Sequence, residues 1–206
     1  MVRYLEIHPH DPQPRLVAQA VEVVRDGGLI AYPTDSGYAV GCALGNKSGL
    51  DRIRSLRRLD AKHHFTLVCR DFAQLGQFVH VDNPVFRLVK SLTPGPYTFI
   101  LPATPEVPRR LMHPKKHTVG VRIPAHRATQ ALLAELGEPL LSSTLILPGE
   151  PEPLSEGWVV KDQVGHLLDA VVDSEVDSAE PTTVVDLTSG APDVVREGAG
   201  DVSRFA

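Results

Sequence analysis

The order of apolar and polar positions divides the chain into short segments of two periods. Residues 14–26 place apolar side chains at Leu16, Val17, Ala20, Val21, Val23 and Val24, a helical spacing closed by Gly27-Gly28. Residues 29–32 and 38–42 are apolar runs of strand length separated by Pro33-Thr34-Asp35-Ser36-Gly37. That stretch predicts two strands meeting at a tight polar corner. Ser48 is the expected N-cap of a short helix with Leu50, Ile53 and Leu56 facing inward and Arg52, Arg54, Arg57 and Arg58 on its other faces. A polar, basic loop over residues 60–64 leads into a strand at 65–69.

Asn83-Pro84 reads as an N-cap followed by proline at the first helical position, with Val85, Phe86, Leu88, Val89 and Leu92 continuing to Thr93-Pro94-Gly95-Pro96. Strands are expected at 97–101, 118–123, 140–147 and 170–172, then in PTTVVDL and in the segment ending at Arg196. Helices are expected at 128–136, closed by Gly137, and at about 159–168. Residues 105–117 form a proline-broken loop, and the Pro, Glu and Gly of 148–157 predict a mobile acidic loop. Helices alternate with strands and no linker interrupts them, so residues 1–206 are read as one α/β domain with a twisted mixed sheet flanked by helices.

Composition narrows the class. The 206 residues are 42% apolar, enough for a substantial core. No apolar run approaches the roughly 20 residues of a membrane span, and the N-terminus lacks the regions of a signal peptide, so a soluble cytoplasmic protein is expected. Cys42 and Cys69 lie in apolar runs without metal-ligand spacing and are expected as buried thiols. The net charge of −4 hides a segregation: residues 47–127 carry +10 and the remainder −14. A basic block of this kind suits phosphates or nucleic acid, although solvated helix faces also collect cations.

Several site patterns are missing: G-x-x-x-x-G-K-[ST], G-x-G-x-x-G, the G-x-S-x-G elbow, and any zinc-spaced Cys/His cluster. No metal site is expected; His8-Pro9-His10 reads as surface. His63-His64 has two readings, a solvated loop or a phosphate contact beside Lys62. What recurs is a strand end carrying hydroxyls (Thr34 and Ser36; Ser142, Ser143 and Thr144; Thr182 and Thr183) or a cation (Arg57, Arg122, Arg196). Each alone is a structural residue; converging, they form a polar hollow for a carboxylate and phosphates.

YPTDSGYAVGC, TPGPYTFIL, GVRIP, PLLSSTLILPG, PTTVVDL and VVREG, in that order over residues 28–200, resemble the YrdC/YciO family, its YciO-like branch in particular. The resemblance implies a single twisted sheet with a large positively charged concave face. It also implies synthesis of L-threonylcarbamoyl-AMP from L-threonine, bicarbonate and ATP, with release of diphosphate, for the t6A modification of tRNA. ATP would be a substrate, accompanied by Mg2+, with no tightly bound cofactor. Double-stranded RNA or tRNA binding on the basic face is the alternative it implies.

By that resemblance Thr34, Tyr38 and Thr144 would hold the threonine, and Arg122, Ser142, Thr182 and Arg196 the nucleotide. Arg57 and Arg58 would stand where the family has its catalytic Lys-x-Arg pair. Arg54, Lys62, Arg109, Arg110, Lys115 and Lys116 would contact RNA. Two departures weaken the expected synthase activity. Lys-x-Arg is here Arg57-Arg58-Leu59, and the Asn of the family's Ser-Thr-Ser-Ala-Asn motif falls on Ile146, so donors are lost where charge develops.

Overall fold

Successive side chains of residues 29–32 enter two different cores. Leu29 and Ala31 join one buried cluster, Ile30 and Tyr32 the other, because a strand projects its side chains alternately to opposite faces. The computed structural model describes residues 1–59, 63 and 65–205. Its strands are β1 (Arg3–Glu6), β2 (Ile30–Thr34), β3 (Gly37–Ala43), β4 (Thr66–Val68), β5 (Tyr97–Pro102), β6 (Thr118–Arg122), β7 (Leu140–Thr144), β8 (Ala170–Asp173), β9 (Thr183–Asp186) and β10 (Asp193–Arg196). The helices are α1 (Pro14–Arg25), α2 (Lys47–Arg57), α3 (Phe72–Phe78), α4 (Asn83–Leu92), α5 (Arg127–Leu136) and α6 (Gly157–Val164).

All ten strands join one mixed sheet in the order β1-β8-β2-β3-β7-β4-β6-β5-β9-β10. The pairs β1/β8, β2/β8, β4/β6 and β5/β9 are parallel and the others antiparallel. Helices α1 and α5 pack on each other and bury one face of the sheet against β1, β2, β3 and β8. Helices α2, α3, α4 and α6 contribute to the core on the other face. On the first face, the stretch across β4, β6, β5 and β9 instead presents Thr66, Gly120, Thr98, Ile100 and Val184 to a cavity. This stretch of the sheet therefore borders a cavity on that face.

Several local expectations are corrected. Asn46, not Ser48, caps α2, its side chain accepting from Gly49 N at 2.8 Å. Asp82, one residue before Asn83, caps α4 through Val85 N at 2.9 Å. Both are Asx caps displaced by one or two residues, an offset that periodicity does not resolve. Strand β7 ends at Thr144 rather than 147: Leu145 N still bonds Tyr38 O in register with β3, but the return bond is lost because Tyr38 N donates to Leu154 O instead. The acidic loop is tied down at Leu154, which donates to Leu145 O and accepts from Tyr38 N. β1 and α3 had no sequence forecast: β1 has only four residues, and α3 has seven with Gly76 inside. Cys42 and Cys69 are buried free thiols, each pushed up to about 12 by burial. No helix among the described residues is long and apolar enough to cross a membrane.

Candidate functional site

The polar corner forms because Gly37 takes φ +82°, a conformation open to glycine at little cost, and because a Cβ there would meet Pro153 at 2.6 Å. β2 and β3 are thereby joined through the Thr34–Gly37 pair. Arg122, at the end of β6, reaches this corner from 86 to 88 residues away. Its Nη2 donates to Ser36 Oγ at 2.7 Å, to Thr34 Oγ1 at 3.2 Å, and to Asp35. Asp35 also accepts from Ala125 N at 2.9 Å, and Thr34 Oγ1 donates to Gly37 O at 2.6 Å. Arg122 Nε is buried with no hydrogen-bond partner among the described residues. The corner is thus a cross-braced, charge-neutralised unit, and the hydroxyl proton of Thr34 is already committed within it.

Beside the stretch of sheet across β4, β6, β5 and β9 lies a cavity of about 390 Å³, lined by Arg57, His63, Ser143, Thr144, Thr182 and Arg196, among others. Helix α2 holds Arg57 in place because Leu50, Ile53 and Leu56 are buried, each contributing about 1.5–3 kcal/mol. Arg57 donates from Nη1 to Ser143 Oγ at 2.6 Å and from Nε to Ile146 O at 3.1 Å. Arg196 donates from Nε and Nη2 to Thr182 O at 3.1 and 2.8 Å, and from Nη2 to Thr182 Oγ1 at 3.1 Å. Thr182 Oγ1 in turn lies 3.0 Å from Thr98 Oγ1. Both guanidinium groups are held by neutral oxygens, and no carboxylate ion pair forms with either among the described residues.

Burial, and after it the charge of Arg196, lowers the Arg57 guanidinium to about 10. Burial and then the charge of Arg122 lower Arg196 in the same direction. The three cations therefore feel one another across the cavity and the corner. Among the described residues, no carboxylate lines the cavity.

The structure brings together some forecast residues and separates others. Arg57, Thr144, Thr182 and Arg196 line the cavity, while Thr34 and Arg122 meet at the corner. Ser142 is withdrawn: its Oγ lies 2.6 Å from Tyr32 Oη and donates to Val40 O at 2.9 Å, inside the core. Burial pushes that Tyr32 phenol up to about 12. Tyr38 is fully buried, its hydroxyl donating to Asp173 Oδ1 at 3.1 Å and Ser174 O at 3.2 Å. Arg58 follows α2 with φ 50°, and this left-handed turn sends it to a groove with Arg52, Leu147 and His166 instead.

Of the basic residues, Arg109, Arg110, Lys115 and Lys116 are exposed, with Arg110 donating to Gly45 O at 2.7 Å. Arg54 lies over the Phe65 ring at 5.5 Å and 3.6 Å from Asp51. Lys62 and His64 lie outside the described residues. His8 Nδ1 accepts from His10 N and Asp11 N, an N-terminal turn.

Sequence reasoning passed over the cavity wall made by Thr66, Thr98, Ile100, Gly120, Val184 and Val195. Its signal was present: Thr98 and Gly120 alternate with the buried Phe99 and Val121. Small or hydroxylated residues at alternate strand positions mark a face that no helix side chains fill.

The family model Sua5/YciO/YrdC, described as telomere recombination, matches residues 22–198. The chain is 50% identical to the uncharacterized protein YciO of Escherichia coli K12 over 205 residues, covering all of both chains. It is 47% identical to an uncharacterized protein of Haemophilus influenzae, again over the whole of both. The crystal structure of E. coli YciO superposes with a TM-score of 0.97 over 100% of both chains. P. abyssi Sua5 complexed with L-threonine gives 0.87 at 24% identity, over 95% of this chain and 57% of that one, a likeness of fold.

Proposed function

Since the chain belongs to the Sua5/YciO/YrdC family, we propose that it is a threonylcarbamoyl-AMP synthase-type enzyme whose cavity receives the nucleotide phosphates. The observation that carries this reading is the pair Arg57 and Arg196, facing one cavity without a carboxylate partner among the described residues. Two confined cations braced only by neutral oxygens are a host for an anion. The hydroxyls of Ser143, Thr144 and Thr182 add donors around it. The L-threonine in the P. abyssi Sua5 complex supports threonine as the acceptor.

In this reading threonine, converted to its carbamate, attacks the α-phosphorus of ATP and diphosphate leaves. Arg57 and Arg196 balance the charge gathering on the phosphoryl oxygens, and the cavity holds the reactants in line. Mg2+ arrives with the nucleotide as part of the substrate. Ile146 lines the same cavity and donates nothing from its side chain, so a turnover below that of a fully equipped synthase is expected. Incubation with L-threonine, bicarbonate and ATP tests the reading: threonine-dependent diphosphate release supports it, and none at high enzyme concentration removes it.

A second reading, RNA binding, is favoured by the exposed Arg109, Arg110, Lys115 and Lys116 on one loop. Lys115→Glu with Lys116→Glu would weaken tRNA binding and flatten its salt dependence; unchanged affinity removes this reading.

A further inference from the structure

Making a carbamate from threonine requires the ammonium to lose a proton before nitrogen can attack carbon. Among the described residues lining the cavity, the other side chains are arginines, hydroxyls and aliphatics. Among those described residues, His63 is the one whose side-chain type exchanges a proton near neutral pH. Its ring stands edge-on to the buried Phe65, with centroids 5.4 Å apart and planes at 85°. Its Nε2 lies 3.3 Å from Ser143 Oγ. Ser143 already accepts from Arg57 at 2.6 Å, so its own proton is available to that nitrogen. Among the described residues, Arg57 and Arg196 are the charged groups that line the cavity with His63, and Arg54 lies on the Phe65 ring behind it.

Resting on the synthase reading, we propose that His63 is the general base of this cavity: the threonine ammonium replaces the Ser143 hydroxyl as the donor to Nε2 and passes it a proton. The freed amine lone pair then forms the N–C bond with bicarbonate. The carbon–hydroxyl bond breaks, and hydroxide leaves as water with the second amine proton. A carbamate oxygen next forms the bond to the α-phosphorus while diphosphate departs with the electron pair of the broken P–O bond. Ser143 is a positioning residue that keeps Nε2 beside Arg57.

The test compares wild type, His63→Gln and His63→Ala in threonine-dependent diphosphate release from pH 6 to 9, with the ATP-induced rise in Tm measured alongside. The expected result is a loss of about 10²-fold or more in kcat, an unchanged ATP-induced shift, disappearance of the acid limb of the profile, and partial rescue of His63→Ala by added imidazole. An active wild type whose His63→Gln form keeps its rate and pH profile overturns the role of His63 and leaves the synthase reading intact. Loss of the ATP-induced shift together with activity makes His63 structural and also overturns the proposal. A wild type with no threonine-dependent release removes both the reading and the base.

Discussion

Arg57 on α2 and Ser143 on β7 are joined at 2.6 Å across 86 residues of sequence. That bond fastens a half-buried guanidinium to the end of the sheet and aims its charge into the cavity. Burial and the neighbouring Arg196 both disfavour the charged form, so Arg57 releases its proton at about 10, earlier than a free arginine. It is protonated below that pH and neutral above it. ATP affinity, read as the ligand-induced Tm shift, is therefore expected to fall as pH rises through about 10. Arg196→Gln should move that fall to higher pH by removing the second cause.

Arg122→Ala should destabilise the protein by about 3–5 kcal/mol, because it strands the largely buried carboxylate of Asp35. Arg122→Lys should lose less, since it restores the charge without the full set of bonds to Thr34 and Ser36. Urea midpoints at constant m-value check this. A loss below about 1 kcal/mol for the alanine form would mean that the pair behaves as a solvated one.

Tyr38→Phe separates packing from substrate binding. It removes the hydroxyl that donates to Asp173 and Ser174 O and accepts from Ser174 N at 3.2 Å. Stability should drop by about 1–3 kcal/mol while the KM for threonine stays where it was. A selective rise in that KM would place Tyr38 in contact with substrate after all.

Gly198→Ala should loosen the cavity from behind. A Cβ at this position falls 2.1 Å from Pro181 O and 2.7 Å from the Thr182 carbonyl carbon, backbone atoms that cannot swing aside. The strain pushes the β10 end away from Thr182, the residue Arg196 holds. ATP should bind about tenfold more weakly in a chain that still unfolds cooperatively, as isothermal calorimetry and a denaturant titration would show.

Much of the architecture could be read from the periods alone. The strands expected at 29–32 and 38–42 are found as Ile30–Thr34 and Gly37–Ala43, the helix expected at 14–26 as Pro14–Arg25, and the corner between β2 and β3 lies where glycine and proline put it. Local chemistry decides such features: a short continuous apolar run suits a strand buried on both faces, and Gly37 admits a turn that residues with a Cβ resist. The same logic marked Arg57, Thr144, Thr182 and Arg196 as polar side chains at element ends.

Which neighbour of a similar pair reaches the cavity was settled by contacts the sequence does not display. Ser142 and Ser143 are adjacent hydroxyls on opposite faces of β7: Tyr32, 110 residues from Ser142, engages the first, and Arg57 from α2 engages the second. Arg57 and Arg58 are adjacent cations, and only the left-handed turn after α2 sends them to different cavities. Sequence alone determined the elements and the inventory of polar ends, because each follows from interactions within a few residues. Tertiary structure decided which of those ends meet, because that depends on strand order, strand length and partners distant in the chain.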